Sequence, residues 1–256
     1  MNLEILGSNS DMNDPQVIFL DKDGTIIDGH YYWIKMIELR SEIILKNLKR
    51  KNDKDLKQYL EDTLGVDHKL NKLKPDGPVG VKPKKFNITH LKEELTKVDV
   101  DFSYEDIKEV FDKADKISLD SISSFLRVLP GVRDFLENCR DNGIDLILIS
   151  NDQSKRANLA LKSLELDNLF GFVYGADSVN NPKPAKDLAM LAIKEGNYDP
   201  KRVINIGDHP NDIIMGKRAG LGINIGVSTG VTSKEEFNKL NCFSIDSFKE
   251  LRISND

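Results

Sequence analysis

The stretch Gln16-Val-Ile-Phe-Leu-Asp21-Lys-Asp-Gly-Thr25 joins an apolar run directly to two acidic residues. The run is rich in β-branched and aromatic side chains, which is typical of a buried parallel β-strand. Ligands of open α/β sheets bind at the carboxyl ends of the strands, so we expect Asp21 and Asp23 to project into a ligand crevice. Two carboxylates at this spacing can converge on one metal ion or one phosphoryl group. The segment therefore predicts both the fold class and the location of a site.

Four further apolar runs follow the same pattern and alternate with segments of helical periodicity. The runs are Ile144–Ser150, Gly171–Gly175, Arg202–Gly207 and Leu221–Gly226. Between them apolar residues recur at helical spacing, as in Val132, Phe135 and Leu136. Alternating strands and helices imply right-handed crossovers and a doubly wound parallel sheet. We therefore predict an α/β fold with a Rossmann-like core.

The chain between residues 29 and 124 differs in composition from the segments on either side. It contains 19 basic and 18 acidic residues, whereas the rest of the chain contains 18 and 24. Helical patterns in it cover Tyr31–Lys51, Leu56–Leu64, Leu91–Leu95 and Ile107–Phe111. Asp53 and Ser103 are candidate N-caps. We predict a core domain of residues 1–28 and 125–256 and an inserted all-helical domain of residues 29–124.

Composition limits the classes of function. The 256 residues are 39% hydrophobic and 31% charged, which is typical of a globular protein. No apolar run approaches the ~18 residues of a membrane span, and the first residues do not resemble a signal peptide, so we expect a cytoplasmic protein without a membrane partner. The net charge of −5 argues against nucleic-acid binding. Cys139 and Cys242 form no CxxC pair, so we predict neither a zinc site nor a redox motif.

Three more segments that follow predicted strands carry polar residues suited to phosphate chemistry. They are Ser150 with Asn151, Lys183 within Asn181-Pro-Lys-Pro-Ala-Lys186, and Asp208 with Asp212 in Gly207-Asp-His-Pro-Asn-Asp212. Taken singly, each has an ordinary structural explanation as a turn, a surface lysine or the acidic first turn of a helix. Their joint occurrence in chain order indicates one shared site.

Taken together, these motifs resemble the haloacid dehalogenase superfamily of phosphatases. The four motifs of that family match Asp21–Thr25, Ser150, Lys183 and Gly207–Asp212, and the resemblance covers the segments that flank the insert. The position of the insert between the first two motifs is similar to that of the first cap class. Phosphoglycolate-phosphatase-like and sugar-phosphatase-like members have such a cap.

The resemblance implies a role for each matched residue. Asp21 would be the nucleophile that forms an aspartyl-phosphate, and Asp23 would be the general acid and base. Ser150 and Lys183 would be catalytic groups that bind the phosphoryl oxygens. The implied substrate-binding residues are Thr25, Ser150, Asn151 and Lys183.

The resemblance also implies a Mg²⁺ site. Asp21, Asp208 and the backbone carbonyl of Asp23 would hold the ion, and Asp212 would be a second metal ligand or a partner of Lys183. Hard oxygen ligands beside a phosphate favour Mg²⁺ independently of the resemblance.

The implied function is a Mg²⁺-dependent phosphomonoesterase that acts on a small phosphorylated metabolite. A sugar phosphomutase of the same family would use the same residues, and a non-catalytic binding protein on this fold is a third alternative. The sequence leaves open the identity of the ester and the oligomeric state.

Two features near the first motif remain to be interpreted. Lys22 stands between the two acids, and the alternation of side chains along a strand predicts that it points away from them and has no chemical role. The aromatic run His30–Trp33 either packs inside the insert or faces the leaving group of the substrate.

Overall fold

The computed structural model describes residues 2–6 and 11–254, and the chain divides into two compact units. The core unit comprises Met1–Asp28 and Arg127–Asp256, and the inserted unit comprises Gly29–Leu126. The insert thus ends two residues later than the predicted end at residue 124. Within the described ranges no helix has the length and apolar character needed to cross a membrane.

The strands and helices are named in chain order. The strands are β1 (Asn2–Ile5), β2 (Asp11–Asn13), β3 (Val17–Leu20), β4 (Val66–Asp67), β5 (Lys72–Leu73), β6 (Asp145–Ile149), β7 (Phe172–Tyr174), β8 (Val203–Gly207), β9 (Ile223–Val227), β10 (Phe243–Ile245) and β11 (Leu251–Ser254). The helices are α1 (Gly29–Asn47), α2 (Lys54–Leu64), α3 (Lys84–Lys97), α4 (Tyr104–Asp120), α5 (Val132–Asp141), α6 (Ser154–Ser163), α7 (Asp187–Gly196), α8 (Pro210–Ala219) and α9 (Lys234–Lys239).

The central sheet of the core unit is parallel throughout, with the strand order β10-β9-β8-β3-β6-β7. The five predicted strands are present, and the doubly wound α/β fold is confirmed. The sixth strand, β10, is only three residues long and has no apolar run to mark it in the sequence. Strand β3 lies between β6 and β8, so Leu20 is paired with Leu148 on one side and Ile206 on the other. The chain reverses its direction of winding at β3, and this is where such sheets bind ligands.

The burial of both faces of the central sheet explains why its strands are continuous apolar runs in the sequence. All four residues of β3 are buried, and on one face Val17 and Phe19 pack with Ile147 against Leu188 and Ala192 of α7. A parallel sheet covered on both faces needs apolar residues at successive positions rather than at alternate ones. A small antiparallel sheet of order β11-β1-β2 completes the core unit.

The inserted unit contains helices α1 to α4, but the prediction that it is all-helical was wrong. Strands β4 and β5 form a short antiparallel hairpin in which Val66 pairs with Leu73. Asp67 stabilises the turn, because its Oδ1 accepts hydrogen bonds from the backbone N–H groups of Lys69 and Leu70. Two strands of two residues each are too short to give a period of two in the sequence.

Both predicted N-caps of the inserted unit are confirmed. The Oδ1 atom of Asp53 accepts a hydrogen bond of 2.9 Å from the backbone N–H of Leu56. The hydroxyl of Ser103 accepts one of 3.0 Å from the N–H of Asp106, whose carboxylate accepts one in return from Ser103. In the aromatic run, Tyr32 is buried and packs edge to face against Trp33 inside the unit, with ring centroids 4.9 Å apart.

Candidate active site

The first motif forms a tight turn at the carboxyl end of β3. The backbone N–H of Asp21 donates to the carbonyl of Ile206 on β8, and the N–H of Gly24 donates to the carbonyl of Ile27. Gly24 has a φ of +77°, and a Cβ at this position would lie 2.2 Å from Oδ2 of Asp208. Only glycine meets both conditions, so this residue brings the first and fourth motifs into contact.

Lys183 connects three motifs through its ammonium group. Its Nζ lies 2.6 Å from Oδ1 of Asp21 and 2.6 Å from Oδ1 of Asp212. It also donates a hydrogen bond of 2.8 Å to the carbonyl of Ile149, the residue before Ser150. Burial lowers the pKa of Lys183, but the two carboxylates raise it by more, so the net pKa lies above the ordinary value. The ammonium therefore stays charged where a phosphate would need a cation.

Three carboxylates converge beside this lysine. Asp21, Asp208 and Asp212 each offer an oxygen within 4.8 Å of the others. The pKa of Asp21 is raised to about 6, because the increase caused by burial and by the charge of Asp212 exceeds the decrease caused by Lys183. Burial also raises the pKa of Asp208 well above its usual value, and the charges of Asp21 and Asp212 add to this effect. One ammonium for three carboxylates, two of them buried and Asp21 partly exposed, leaves an excess of negative charge, and a divalent cation with oxygen ligands fits this donor set.

The second motif contributes a hydroxyl and an amide. The Ser150 hydroxyl oxygen accepts a hydrogen bond of 3.1 Å from the backbone N–H of Asp152, which leaves its own proton available for donation. The side chain of Asn151 binds the backbone of Lys183 at both ends: Oδ1 accepts from the N–H at 3.0 Å, and Nδ2 donates to the carbonyl at 3.1 Å. Asn151 thus holds Lys183 in place, and its predicted contact with substrate remains a prediction.

The expectation for Thr25 needs correction. Its side chain is fully buried, and its hydroxyl points toward Oδ1 of Asp208 at 3.5 Å. A residue without exposed surface cannot touch a substrate, so Thr25 packs beneath the site and supports Asp208. The sequence motif indicated its place at the strand end but not the direction of its side chain.

The loop after β9 packs closely against Gly24 and Asp208 and was missed in the sequence. The Thr229 hydroxyl donates a hydrogen bond of 2.5 Å to the carbonyl of Gly24. A Cβ on Gly230 would lie 1.8 Å from Oδ2 of Asp208. The segment follows an apolar strand, as the four recognised motifs do, and this position was the signal that could have revealed it.

We expect Gly230→Ala to lower activity while leaving the fold intact. The added methyl group must turn the Asp208 carboxylate, and a displacement of about 1 Å in a site can cost about 10²-fold in rate. Gly171→Ala is the matched control, because its Cβ would meet only the Leu146 carbonyl, at 4.0 Å. Thermal unfolding and steady-state rates of both variants check the prediction, and equal rates for the two would contradict it.

Asp212 is fixed by its own helix and by a buried amide. Its Oδ2 accepts a hydrogen bond of 3.0 Å from the backbone N–H of His209, which caps α8. Its carbonyl accepts one of 3.0 Å from Nδ2 of Asn205 in the centre of β8. Asn205 also donates to Oδ1 of Asn224 on β9 at 3.1 Å. Sequence reasoning missed Asn205, although a polar residue inside the run Val203–Gly207 was a visible signal.

Asp23 does not belong to the carboxylate cluster found among the described residues. Its two carboxylate oxygens lie 2.8 and 2.7 Å from Nζ of Lys22. The prediction that Lys22 points away from the acids was therefore wrong. Strand β3 ends at Leu20, so the alternation of side chains no longer applies at position 22.

The doubly wound sheet and the four polar motifs at its strand ends define a haloacid dehalogenase-like protein. A family model described as haloacid dehalogenase-like hydrolase matches residues 15–220. The chain belongs to this family, which confirms the resemblance found in the motifs.

Individual relatives agree with this assignment. The chain is 28% identical over 126 residues to the phosphoglycolate phosphatase of Haemophilus influenzae, covering 49% of this chain and 55% of that protein. It is 23% identical to Pyrophosphatase PpaX of Oceanobacillus iheyensis, covering 64% and 78%. It thus spans about half the length of curated relatives such as the H. influenzae enzyme. A putative β-phosphoglucomutase structure from Thermotoga maritima shares the fold, with a TM-score of 0.67, 20% identity and coverage of 92% and 95%.

Proposed function

We propose that this chain is a Mg²⁺-dependent phosphatase that hydrolyses the phosphomonoester of a small metabolite through an aspartyl-phosphate on Asp21. The single observation that carries the proposal is the position of the Lys183 ammonium, 2.6 Å from both Asp21 and Asp212 beside the Asp208 carboxylate. A carboxylate, a fixed cation and further carboxylate oxygens thus lie together at the edge of the sheet, which supports the proposed roles.

In the first step, an Asp21 carboxylate oxygen attacks the phosphorus of the ester. A bond forms between phosphorus and that oxygen, and the bond from phosphorus to the ester oxygen breaks. Asp23 donates a proton to the departing oxygen, so the product leaves as an alcohol. Lys183 and the Ser150 hydroxyl bind the phosphoryl oxygens and offset their charge.

In the second step, water hydrolyses the aspartyl-phosphate. Asp23, now ionised, removes a proton from the water molecule, whose oxygen bonds to phosphorus as the bond to Asp21 breaks. Asp21 regains its carboxylate, and inorganic phosphate leaves. The cycle consumes one water molecule and restores every protein group.

Asp21, Asp208 and Asp212 would hold the divalent cation, together with the backbone carbonyl of Asp23. When bound, the cation supplies positive charge that lets a phosphate dianion lie beside three carboxylates. The excess of carboxylates over ammonium groups in this cluster supports this part of the proposal.

A panel of small phosphate esters and pyrophosphate, each with Mg²⁺, tests the proposal. We expect release of inorganic phosphate from at least one compound. Phosphorus NMR of the products would detect a mutase, which moves the phosphoryl group within the substrate and releases none. The relatives named as phosphatases favour hydrolysis over transfer. Absence of phosphate release from every compound would contradict the proposal.

Asp23→Ala is expected to slow hydrolysis of alkyl phosphates by roughly 10²–10³-fold, within the usual range for a positioned acid or base. A good leaving group needs less protonation, so the loss in the first step should be smaller for p-nitrophenyl phosphate. Single-turnover kinetics with both esters measure this difference. Equal first-step losses for the two esters would argue against the acid role of Asp23.

A further inference from the structure

The Lys22 side chain is buried between two carboxylates. Only 5% of it is exposed, and its Nζ lies 2.8 and 2.7 Å from the two oxygens of Asp23 and 3.4 Å from Oδ2 of Asp152. Because 42% of the Asp23 side chain is exposed, burial alone does not fix its rotamer. An ammonium group that contacts both oxygens restricts the rotation of the carboxylate.

The backbone beneath Lys22 is fixed as well. Its carbonyl accepts hydrogen bonds from the backbone N–H groups of Ile26 and Ile27, at 3.0 and 2.9 Å. The ammonium thus extends from an anchored turn rather than from a mobile loop. The backbone from which the Lys22 side chain reaches Asp23 is therefore held in place.

The charges around Lys22 alternate in sign. Each charged side chain in this row contacts the next one in space, in the order Asp23, Lys22, Asp152 and Arg156. The last contact joins Nε of Arg156 to Oδ2 of Asp152, at 3.3 Å. A buried ammonium needs such partners, because an unpaired buried charge is costly. Burial lowers the pKa of Lys22, whereas Asp23 and Asp152 raise it by more, so the group stays charged.

Asp152 connects this row of charges to the second motif. Its backbone N–H donates to the Ser150 hydroxyl at 3.1 Å, while its carboxylate contacts Lys22. Lys22 therefore links the group proposed for proton transfer with the hydroxyl proposed for phosphate binding. This link joins the loops that follow the neighbouring strands β3 and β6.

We infer that Lys22 is a positioning residue, which orients the Asp23 carboxyl group for proton transfer and uses Asp152 as its second anchor. The inference rests on the proposed function. Proton transfer requires a separation of roughly 2.6–3.2 Å between heavy atoms, so a carboxyl group that rotates freely spends less time in a productive position. The role belongs to Lys22 acting through Asp23, not to contact with substrate.

Lys22→Met tests the inference, because methionine retains the length of the stem and removes the charge. We expect the first-step rate for an alkyl phosphate, measured in single turnovers, to fall by about 10- to 100-fold, with the half-saturating ester concentration within about threefold of the wild type. The loss for p-nitrophenyl phosphate should be at least about fivefold smaller, since its leaving group needs less protonation. A general structural disturbance would lower both rates alike, so equal losses overturn the inference.

Lys155→Met is the matched control, because Lys155 is an exposed lysine on the adjacent helix α6 and should keep both rates. Asp152→Asn removes the second anchor from a partly exposed position and should shift the ratio of the two rates in the same direction as Lys22→Met. If circular dichroism shows that Lys22→Met does not fold, the Asp152→Asn variant tests the inference instead. An unchanged ratio in Asp152→Asn would then overturn the inference.

The Asp23→Ala variant distinguishes a failure of the proposed function from a failure of the inference about Lys22. If its losses depend on the leaving group and those of Lys22→Met do not, the inference about Lys22 fails and the proposed function stands. If Asp23→Ala itself shows no such dependence, the acid role in the proposed function fails, and the inference fails with it.

Discussion

Asp21→Asn should reduce phosphate release by at least about 10⁴-fold, which corresponds to about 5.4 kcal/mol of transition-state stabilisation. The amide has nearly the same shape as the carboxylate but is a very poor nucleophile, so the two-step route through an aspartyl-phosphate is lost. The fold should persist, because asparagine can still accept the hydrogen bond from Lys183 that Asp21 accepts at 2.6 Å.

Two measurements make this result specific. When reactions with a substrate that carries radioactive phosphorus are quenched with acid, the aspartyl-phosphate should label the peptide that contains Asp21 in the wild type. The same peptide should stay unlabelled in the variant. Asp134→Asn makes the same chemical change at an exposed position of α5 and should keep full activity. Hydrolysis by Asp21→Asn within tenfold of the wild type would remove Asp21 from the role of nucleophile.

The sequence correctly predicted that polar residues following different strands lie close together. Apolar runs define the parallel strands, and parallel strands bring their carboxyl ends to one edge. The contacts of Lys183 with Asp21 and Asp212 join residues 162 and 29 positions apart in sequence. No local pattern encodes these contacts, yet the alternation of strands and helices predicts a parallel sheet, and such a sheet brings the motifs that follow its strands to one edge.

Side-chain direction was harder to predict than position. Lys22 and Thr25 stand in a turn, where neither the period of a strand nor that of a helix applies, so no periodicity indicates the orientation of their side chains. Lys22 turns toward Asp23, and Thr25 turns under Asp208. Gly230 was missed for a different reason, because its importance lies in the space that it leaves for Asp208 and not in any functional group of its own.

Removal of divalent cations should abolish hydrolysis, and addition of Mg²⁺ should restore it. Two like charges ~4 Å apart interact by about 4 kcal/mol at an effective dielectric of ~20, so a phosphate dianion is repelled by each carboxylate of the cluster. Lys183 is the one lysine bonded directly to two members of that cluster in the described ranges. Activity unaffected by excess EDTA would contradict the metal assignment.

A readout that does not depend on activity strengthens this test. A ligand that binds only the folded state stabilises it, by about 2.7 kcal/mol at 100 times its Kd, and a protein of this size gains about 2 to 4 °C in Tm per kcal/mol. We therefore expect Mg²⁺ to raise the Tm of the wild-type protein by several degrees. No change in Tm at saturating Mg²⁺ would argue against a preformed cation site.

Asp208→Asn should raise the Tm measured in EDTA and reduce the Tm increase that Mg²⁺ causes. The pKa of Asp208 is raised by burial and then by Asp21 and Asp212, so its ionised form is disfavoured in the folded protein and lowers stability at neutral pH. Replacing it with a neutral amide should raise the Tm in EDTA. The same change removes a ligand charge, so the Tm increase caused by Mg²⁺ should shrink and half-maximal activity should require more Mg²⁺. A variant that merely disturbs packing would lower the Tm in EDTA and keep the full Mg²⁺-induced increase, and an undiminished increase would sink the assignment of Asp208 to a cation site.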